Sequence, residues 1–216
     1  MELIVKLILS YFLGSISGSL LLGKLKGMDI REMGSGNAGG TNAYRTMGTA
    51  FALGVLFIDV IKGFIAVEFV PYIKLGGILT INTVDPELLH VVCGMGAMVG
   101  HVYPIYHGFK GGKGAGTMAG VLAALFPTYL IIGVPIWLIV LTISGYVGLS
   151  TMIAGIALPI CSLIFYPNGI YSPFGFFSII IALFFIYTHR SNIHRMLLGN
   201  ENRFEKIMLF RKKSDN

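Results

Sequence analysis

A segment of about 20 apolar residues has one comfortable environment, the hydrocarbon core of a bilayer, and its backbone N–H and C=O groups must there be satisfied within a helix or a closed barrel. Most of this chain divides into such segments. Apolar stretches run over about residues 3–22, 51–72, 88–106, 117–131, 132–146, 151–166 and 174–188. They predict an all-α integral membrane protein of about seven transmembrane helices, a single polytopic domain over residues 1–216 with a short basic tail from about residue 201. Composition agrees, since 12% of the 216 residues are charged, against about 25% in soluble domains. Mean hydropathy is +0.78. The divisions near Pro127 and Gly148 are the least marked, which leaves five or six spans as alternatives.

Glu2 precedes Lys6, and the first apolar run continues past Gly14 and Gly18 to Leu22 with no evident cleavage site, so it reads as a retained helix and not a signal peptide. Cys93 and Cys161 lie in apolar stretches without CxxC spacing, and His90 and His107 lack partners at ligand spacing. No metal or other cofactor is expected. A formal net charge of +6 admits nucleic acid, anionic lipid or an anionic substrate as partner. Nucleic acid is excluded by distribution, because the basic residues are scattered among short loops with no soluble domain to present a groove.

Those loops set the orientation. Lys24, Lys26, Arg31 and Arg45 follow the first stretch, Lys110 and Lys113 the third, and Arg190, Arg195, Arg203, Lys206, Arg211, Lys212 and Lys213 the last. With seven alternating spans all of these share one face, which the positive-inside rule makes cytoplasmic, leaving the N-terminus outside. An even number of spans would put the tail opposite the first loop. Residues 146–151 should be cytoplasmic too, yet they carry no Lys or Arg.

The polar residues gather in the same loops. Residues 34–45 read GSGNAGGTNAYR: the glycines let backbone N–H groups converge on an anion, Ser35, Asn37, Thr41 and Asn42 add neutral donors, and Arg45 adds a fixed cation. The alternative is a flexible loop. Residues 108–114 hold four glycines together with Lys110 and Lys113, in the form of a phosphate cradle. It is not a nucleotide-binding P-loop, because the first glycine of that pattern falls on His107 and its final Ser or Thr on Gly114. A basic membrane anchor is the competing reading. His189 and Asn192 stand three apart, on one face if the helix continues, and such a pair can hold a hydroxyl or polarise a carbonyl; a histidine at a bilayer boundary is also a common interfacial residue. Asp59 and Lys62 lie inside the second stretch and are expected as a structural ion pair, with a polar wall of the site as the alternative.

Together these segments resemble the bacterial acyl-phosphate:glycerol-3-phosphate acyltransferase family, PlsY. GSGNAGGTNAYR at 34–45, GHVYPIYHGFKGGKGAGT at 100–117 and HRSNIHRMLLGNEN at 189–202 are similar to its three cytoplasmic signatures in order, and DVIKG at 59–63 to a further shared stretch. Three places depart from it. Gly40 stands where the pattern has Ala, Ser17 where it has Pro, and residues 145–151 match a family RYVSLAS segment loosely, without its Arg and one Ser.

The resemblance implies seven helices, an outside N-terminus and an active site facing the cytoplasm at the bacterial inner (plasma) membrane. It implies transfer of a fatty acyl group from acyl phosphate to the sn-1 hydroxyl of glycerol 3-phosphate, giving lysophosphatidic acid and phosphate. Carried over by position, Ser35, Arg45, His189 and Asn192 are the expected catalytic residues. Asn37, Thr41, Asn42, Lys110, Gly111, Gly112, Lys113 and Gly114 are the expected substrate-binding set. Membrane lipids are the remaining partner. No HxxxxD motif is present, so a soluble-type acyltransferase site is not expected. A phosphate-ester transporter and a lipid-binding scaffold remain as rivals on the residues alone.

Overall fold

The computed structural model describes residues 1–76 and 84–209, without the side chain of Lys206. Arg211, Lys212 and Lys213, counted above on the basic face, lie outside the described residues. Every regular element among the described residues is helical, in agreement with the expected class. The chain divides into two compact units, Met1–Pro127 and Thr128–Asn216.

The first unit contains α1 (Glu2–Gly14), α2 (Gly18–Leu25), α3 (Gly40–Met47), α4 (Thr49–Glu68), α5 (Pro86–Val102) and α6 (Ala115–Leu125). α1 and α2 form a pair bent by 42° at Ser15–Ser17. The start of α5 is written in the sequence: Asp85 accepts from the Glu87 amide at 2.8 Å, and Pro86 opens the first turn, where its missing N–H is no loss.

Helices in lipid gain little from burying apolar surface against one another, so close backbone packing through small residues must hold them. Two glycine seams do this. A Cβ on Gly100 would stand 2.2 Å from the Tyr11 carbonyl oxygen and one on Gly14 2.2 Å from that of Ala97, so α1 and α5 are in backbone contact. On the other side of the unit, a Cβ on Gly120 would stand 1.9 Å from the Val60 oxygen and one on Gly63 2.2 Å from the Thr117 oxygen, pressing α4 onto α6. Where α1 begins, buried Lys6 pairs with Glu2 at 2.6 Å and donates to the Pro71 carbonyl, which partners a cation lying within an apolar helix.

The second unit contains α7 (Pro127–Ser144) from its second residue on, α8 (Val147–Phe165), α9 (Pro173–Thr188) and α10 (Arg190–Leu197). α9 is capped by Ser172, which accepts from the Gly175 amide at 2.8 Å, and meets α10 at a 51° bend on His189. The Tyr129 hydroxyl donates to the Ala154 carbonyl and Trp137 Nε1 to Thr151 Oγ1 at 3.2 Å, joining α7 to α8.

By length and composition four helices among the described residues can cross a membrane, or up to six if each bent pair is one span. This differs from the seven stretches in the sequence. Pro127 ends the fourth after 11 residues of α6, about 16 Å of helix against a hydrocarbon core of about 30 Å.

Candidate active site

The first polar loop is built from within. Gly34 and Gly36 adopt positive φ, +57° and +72°, and the turn folds back over Asn42 in the first turns of α3. Asn42 Nδ2 donates to the carbonyls of Ile30 and Met33, each at 3.0 Å, while its Oδ1 accepts from the Ser35 amide at 2.9 Å. A Cβ on Gly34 would lie 2.4 Å from that Oδ1, so only glycine fits. Beneath the loop, Ile30, Ala38 and Ala43 are fully buried against Leu20, Phe51 and Val55. Ser35 is thus presented exposed on a fixed turn, with Asn37, Thr41 and Arg45 half-buried beside it. Thr41 and Arg45, four apart on α3, share a helix face.

The second loop folds onto the end of α5. The Gly111 amide donates to the Val102 carbonyl at 3.1 Å and the Gly112 amide to that of His101 at 3.2 Å. These two glycines were expected to offer their N–H groups to an anion. They turn them inward instead, and what they contribute is close approach, since a Cβ on Gly111 would stand 2.0 Å from the His101 oxygen. Positive potential comes from Lys110, from Lys113 and from the N-terminus of α6, which opens after Gly114 at φ +93°.

Arg31 joins the two loops. Its Nη1 donates to the carbonyls of His107 at 2.8 Å and Lys110 at 3.1 Å, while Nη2 and Nε bind Asp29 at 2.6 and 3.0 Å. Hydrogen bonds from Arg31 hold the Asp29 carboxyl below the usual carboxylate range. Between the loops opens a cavity of about 550 Å3 lined by both: Asp29, Arg31, Glu32 and Gly36 from the first, His107, Gly108, Lys110 and Gly111 from the second.

Under the second loop lies a buried polar cluster. Lys62 Nζ is 2.9 Å from Asp59 Oδ1 and 2.9 Å from His101 Nδ1. The ion pair expected between Asp59 and Lys62 is therefore formed, with His101 as an unforeseen third member. An unpartnered charge at a bilayer centre costs about 2.5 to 3.5 kcal/mol, which pairing offsets.

In the second unit, His189 Nδ1 lies 2.9 Å from the Phe185 carbonyl oxygen, and its ring stands edge-on to the Phe185 ring at 6.0 Å. That contact requires the hydrogen on Nδ1, so in the neutral ring Nε2 carries the lone pair. The Asn192 amide donates to the His189 carbonyl at 2.8 Å, keeping the two residues on one turn. Asn192 Nδ2 donates to Glu201 Oε1 at 2.9 Å, and Arg195 Nε to Glu201 Oε2 at 2.6 Å. Gly148 leaves room for Asn192, whose Cγ would be 3.0 Å from a Cβ there. Beyond Glu201 the tail docks on the α7–α8 turn. The Phe204 amide donates to Gly145 O and the Leu209 amide to Thr142 O, both at 2.9 Å, and the Arg203 guanidinium lies 4.6 Å from the centre of the Tyr146 ring.

A protein-family model described as glycerol-3-phosphate acyltransferase matches residues 4–199, nearly the whole chain. The chain belongs to the glycerol-3-phosphate acyltransferase family. Among its relatives, proteins named glycerol-3-phosphate acyltransferase are 38% identical over 229 residues in Chlorobium phaeobacteroides, covering 95% of this chain and 97% of that one, and 39% identical over 227 residues in Pelodictyon phaeoclathratiforme, covering 94% and 97%. Among solved structures, PlsY, an integral membrane glycerol 3-phosphate acyltransferase, superposes in its glycerol 3-phosphate form with a TM-score of 0.80 at 35% identity, covering 94% of this chain and 96% of that one. Its lysophosphatidic acid form gives 0.78 at 34% identity, with the same coverage. The resemblance seen in the three signatures thus holds at the level of the family.

The motifs single out neither Arg31 nor Glu201. Arg31 reads as a basic loop residue, although the short Asp29–Arg31 spacing signals a locally braced guanidinium. Glu201 reads as the penultimate residue of the third signature. Its side chain is 5% exposed, between Asn192 and Arg195.

Proposed function

We propose that this chain transfers a fatty acyl group from acyl phosphate to the sn-1 hydroxyl of glycerol 3-phosphate, giving lysophosphatidic acid and inorganic phosphate, at the cytoplasmic face of a bacterial plasma membrane. The observation that carries the proposal is the joining of the first and second loops by Arg31 around one open cavity, in a member of this family.

The difficulty of the reaction is electrostatic. Both substrates carry phosphate, and two unit charges 4 Å apart repel by about 1 kcal/mol in water and about 4 kcal/mol near a protein surface. Arg45, Lys110, Lys113 and the α6 N-terminus supply the compensating charge, and Lys110 lies in the cavity wall. Asn37, Thr41 and the Ser35 hydroxyl act as neutral donors around the acyl phosphate. Asn42, whose amide group is engaged within its own loop, acts by holding Ser35.

The acyl phosphate is a mixed anhydride and already activated. The glycerol hydroxyl oxygen attacks the acyl carbon, the bond from that carbon to the phosphate oxygen breaks, and phosphate leaves with the electron pair. His189 and Asn192 orient the hydroxyl, and its proton passes to a phosphate oxygen. The acyl chain lies among apolar spans open to lipid, so the reacting head stays at the interface.

Purified protein mixed with palmitoyl phosphate and glycerol 3-phosphate should release phosphate and form lysophosphatidic acid in equal amounts, and omitting glycerol 3-phosphate should abolish release. Uptake of glycerol 3-phosphate into proteoliposomes without acyl phosphate would instead identify a transporter. An acyl-Ser35 adduct trapped on quenching would rule out direct transfer.

A further inference from the structure

Beneath the two loops lie three ionisable side chains that the proposed acyl transfer does not use. Asp59, Lys62 and His101 are each at most 3% exposed. A buried ion pair is weak evidence for stability, because a well-packed apolar replacement is often as stable. Their place in the structure suggests another use.

Lys62 has three hydrogens and three acceptors: Ile16 O at 2.7 Å, Asp59 Oδ1 at 2.9 Å and His101 Nδ1 at 2.9 Å. Asp59 Oδ1 also accepts from the Gly18 amide at 3.1 Å, so the pair holds the break between α1 and α2 at Ile16 and at the first residue of α2. An ammonium group only donates. His101 Nδ1 is therefore the acceptor, and the ring hydrogen sits on Nε2. The 3.4 Å separation of Nδ1 from Asp59 Oδ1 is too long to compete.

Nε2 is the end of the ring that faces the loops. A Cβ on Gly112 would lie 2.2 Å from Nε2 and 3.0 Å from the Ala38 carbonyl oxygen of the first loop. The backbone of His101 holds the same residue, accepting from the Gly112 amide at 3.2 Å. One histidine thus touches Gly112 through both ring and backbone, and the Ala38 carbonyl of the first loop lies against the same glycine.

We propose that His101 is a positioning residue for the acyl transfer, its ring fixed by the Asp59–Lys62 pair so that it sets the height of Gly112 and hence the spacing of the two loops. The proposal rests on the reading that those loops bind the substrates. It predicts a defect in glycerol 3-phosphate binding that exceeds any defect in turnover.

The test uses the full chain in detergent or nanodiscs with the variants His101→Ala, His101→Gln, Gly112→Ala and the double variant H101A/G112A. His101→Ala should raise KM for glycerol 3-phosphate about tenfold, leave KM for palmitoyl phosphate within about twofold, and speed deuterium uptake over residues 108–114 while α1 and α4 exchange as in wild type. His101→Gln, which still reaches Gly112, should recover KM to within about threefold. Gly112→Ala should raise KM on its own, and should add little in the His101→Ala background, where the added methyl finds room.

Unchanged uptake over 108–114 in His101→Ala would overturn the positioning role whatever the enzyme does. Uptake raised equally in α1 and α4 would overturn it as well, by making His101 a general support. A wild-type protein without acyltransfer would defeat the functional reading instead, while the exchange result would still decide the positioning role.

Discussion

Ser35 and Asn42 lie seven residues apart in one loop and do opposite work. Ser35 is exposed, with its amide held and its hydroxyl at the surface, whereas Asn42 is 1% exposed and makes three hydrogen bonds to the loop backbone. Each such bond contributes about 1 kcal/mol net, and removing the amide would take the acceptor from the Ser35 N–H and leave the Ile30 and Met33 carbonyls only their turn bonds from the Met33 and Gly36 amides. Asn42→Ala should therefore lose about 2 to 4 kcal/mol of stability along with activity. Ser35→Ala should abolish most activity with its thermal midpoint essentially unchanged. Equal loss of stability in both would contradict this division. The sequence offered Asn37, Thr41 and Asn42 as equivalent donors, because composition shows which groups can donate and not which are already occupied. Gly40 makes the complementary point. It departs from the resembled pattern, which has Ala there, yet nothing lies within 4 Å of a Cβ at that position and it is the first residue of α3. Gly40→Ala should keep full activity and gain about 0.5 to 1 kcal/mol by lowering the entropy of the unfolded chain, read as a small rise in thermal midpoint.

At the scale of helices, the apolar runs were legible because hydropathy reports burial in lipid directly. Boundaries inside a long apolar tract were not: residues on both sides of Pro127 are equally apolar, so dividing the tract by length moved its break several residues away from the proline that stops α6. The pairing of helices was hidden for a different reason. A small-xxx-small spacing such as Gly116 and Gly120 marks a face for close packing without naming its partner. In the structure the two glycines differ sharply. A methyl on Gly120 would meet the Val60 carbonyl at 1.9 Å, a backbone atom that moves only if α4 moves, whereas on Gly116 its nearest neighbour is Asp59 Cβ at 3.2 Å. Overpacking of this kind costs about 1 to 3 kcal/mol. Gly120→Ala should fall at or above the top of that range and reduce the folded fraction extracted in mild detergent, with Gly116→Ala closer to wild type. The reverse order would mean that α4 and α6 do not pack along this seam.

For the whole molecule, the side of the membrane reached by the third signature depends on the 11-residue helix α6. In the proposed orientation the first and second loops face the cytoplasm, and the chain then has α6, α7, α8 and the bent α9–α10 pair in which to bring His189 and Asn192 to the same side. Four crossings end where they began; three end on the opposite face. At 11 residues α6 covers about half of the hydrocarbon thickness, so length alone favours three crossings, while the basic residues after His189 favour four. Local thinning of the bilayer, or immersion of the glycine-rich segment that precedes α6, supplies the missing length at a cost of fractions of a kcal/mol per Å. The charge bias should prevail, because Arg190, Arg195 and Arg203 would otherwise face outward. Exposed Lys110 and Ser191 make this measurable, since Cys93 and Cys161 are both buried and leave a low background for thiol reagents. Lys110→Cys and Ser191→Cys should both be blocked by an impermeant maleimide applied to inverted vesicles and spared in intact cells. Modification of the two from opposite faces would leave α6 short of a full crossing and would overturn the proposed acyl transfer.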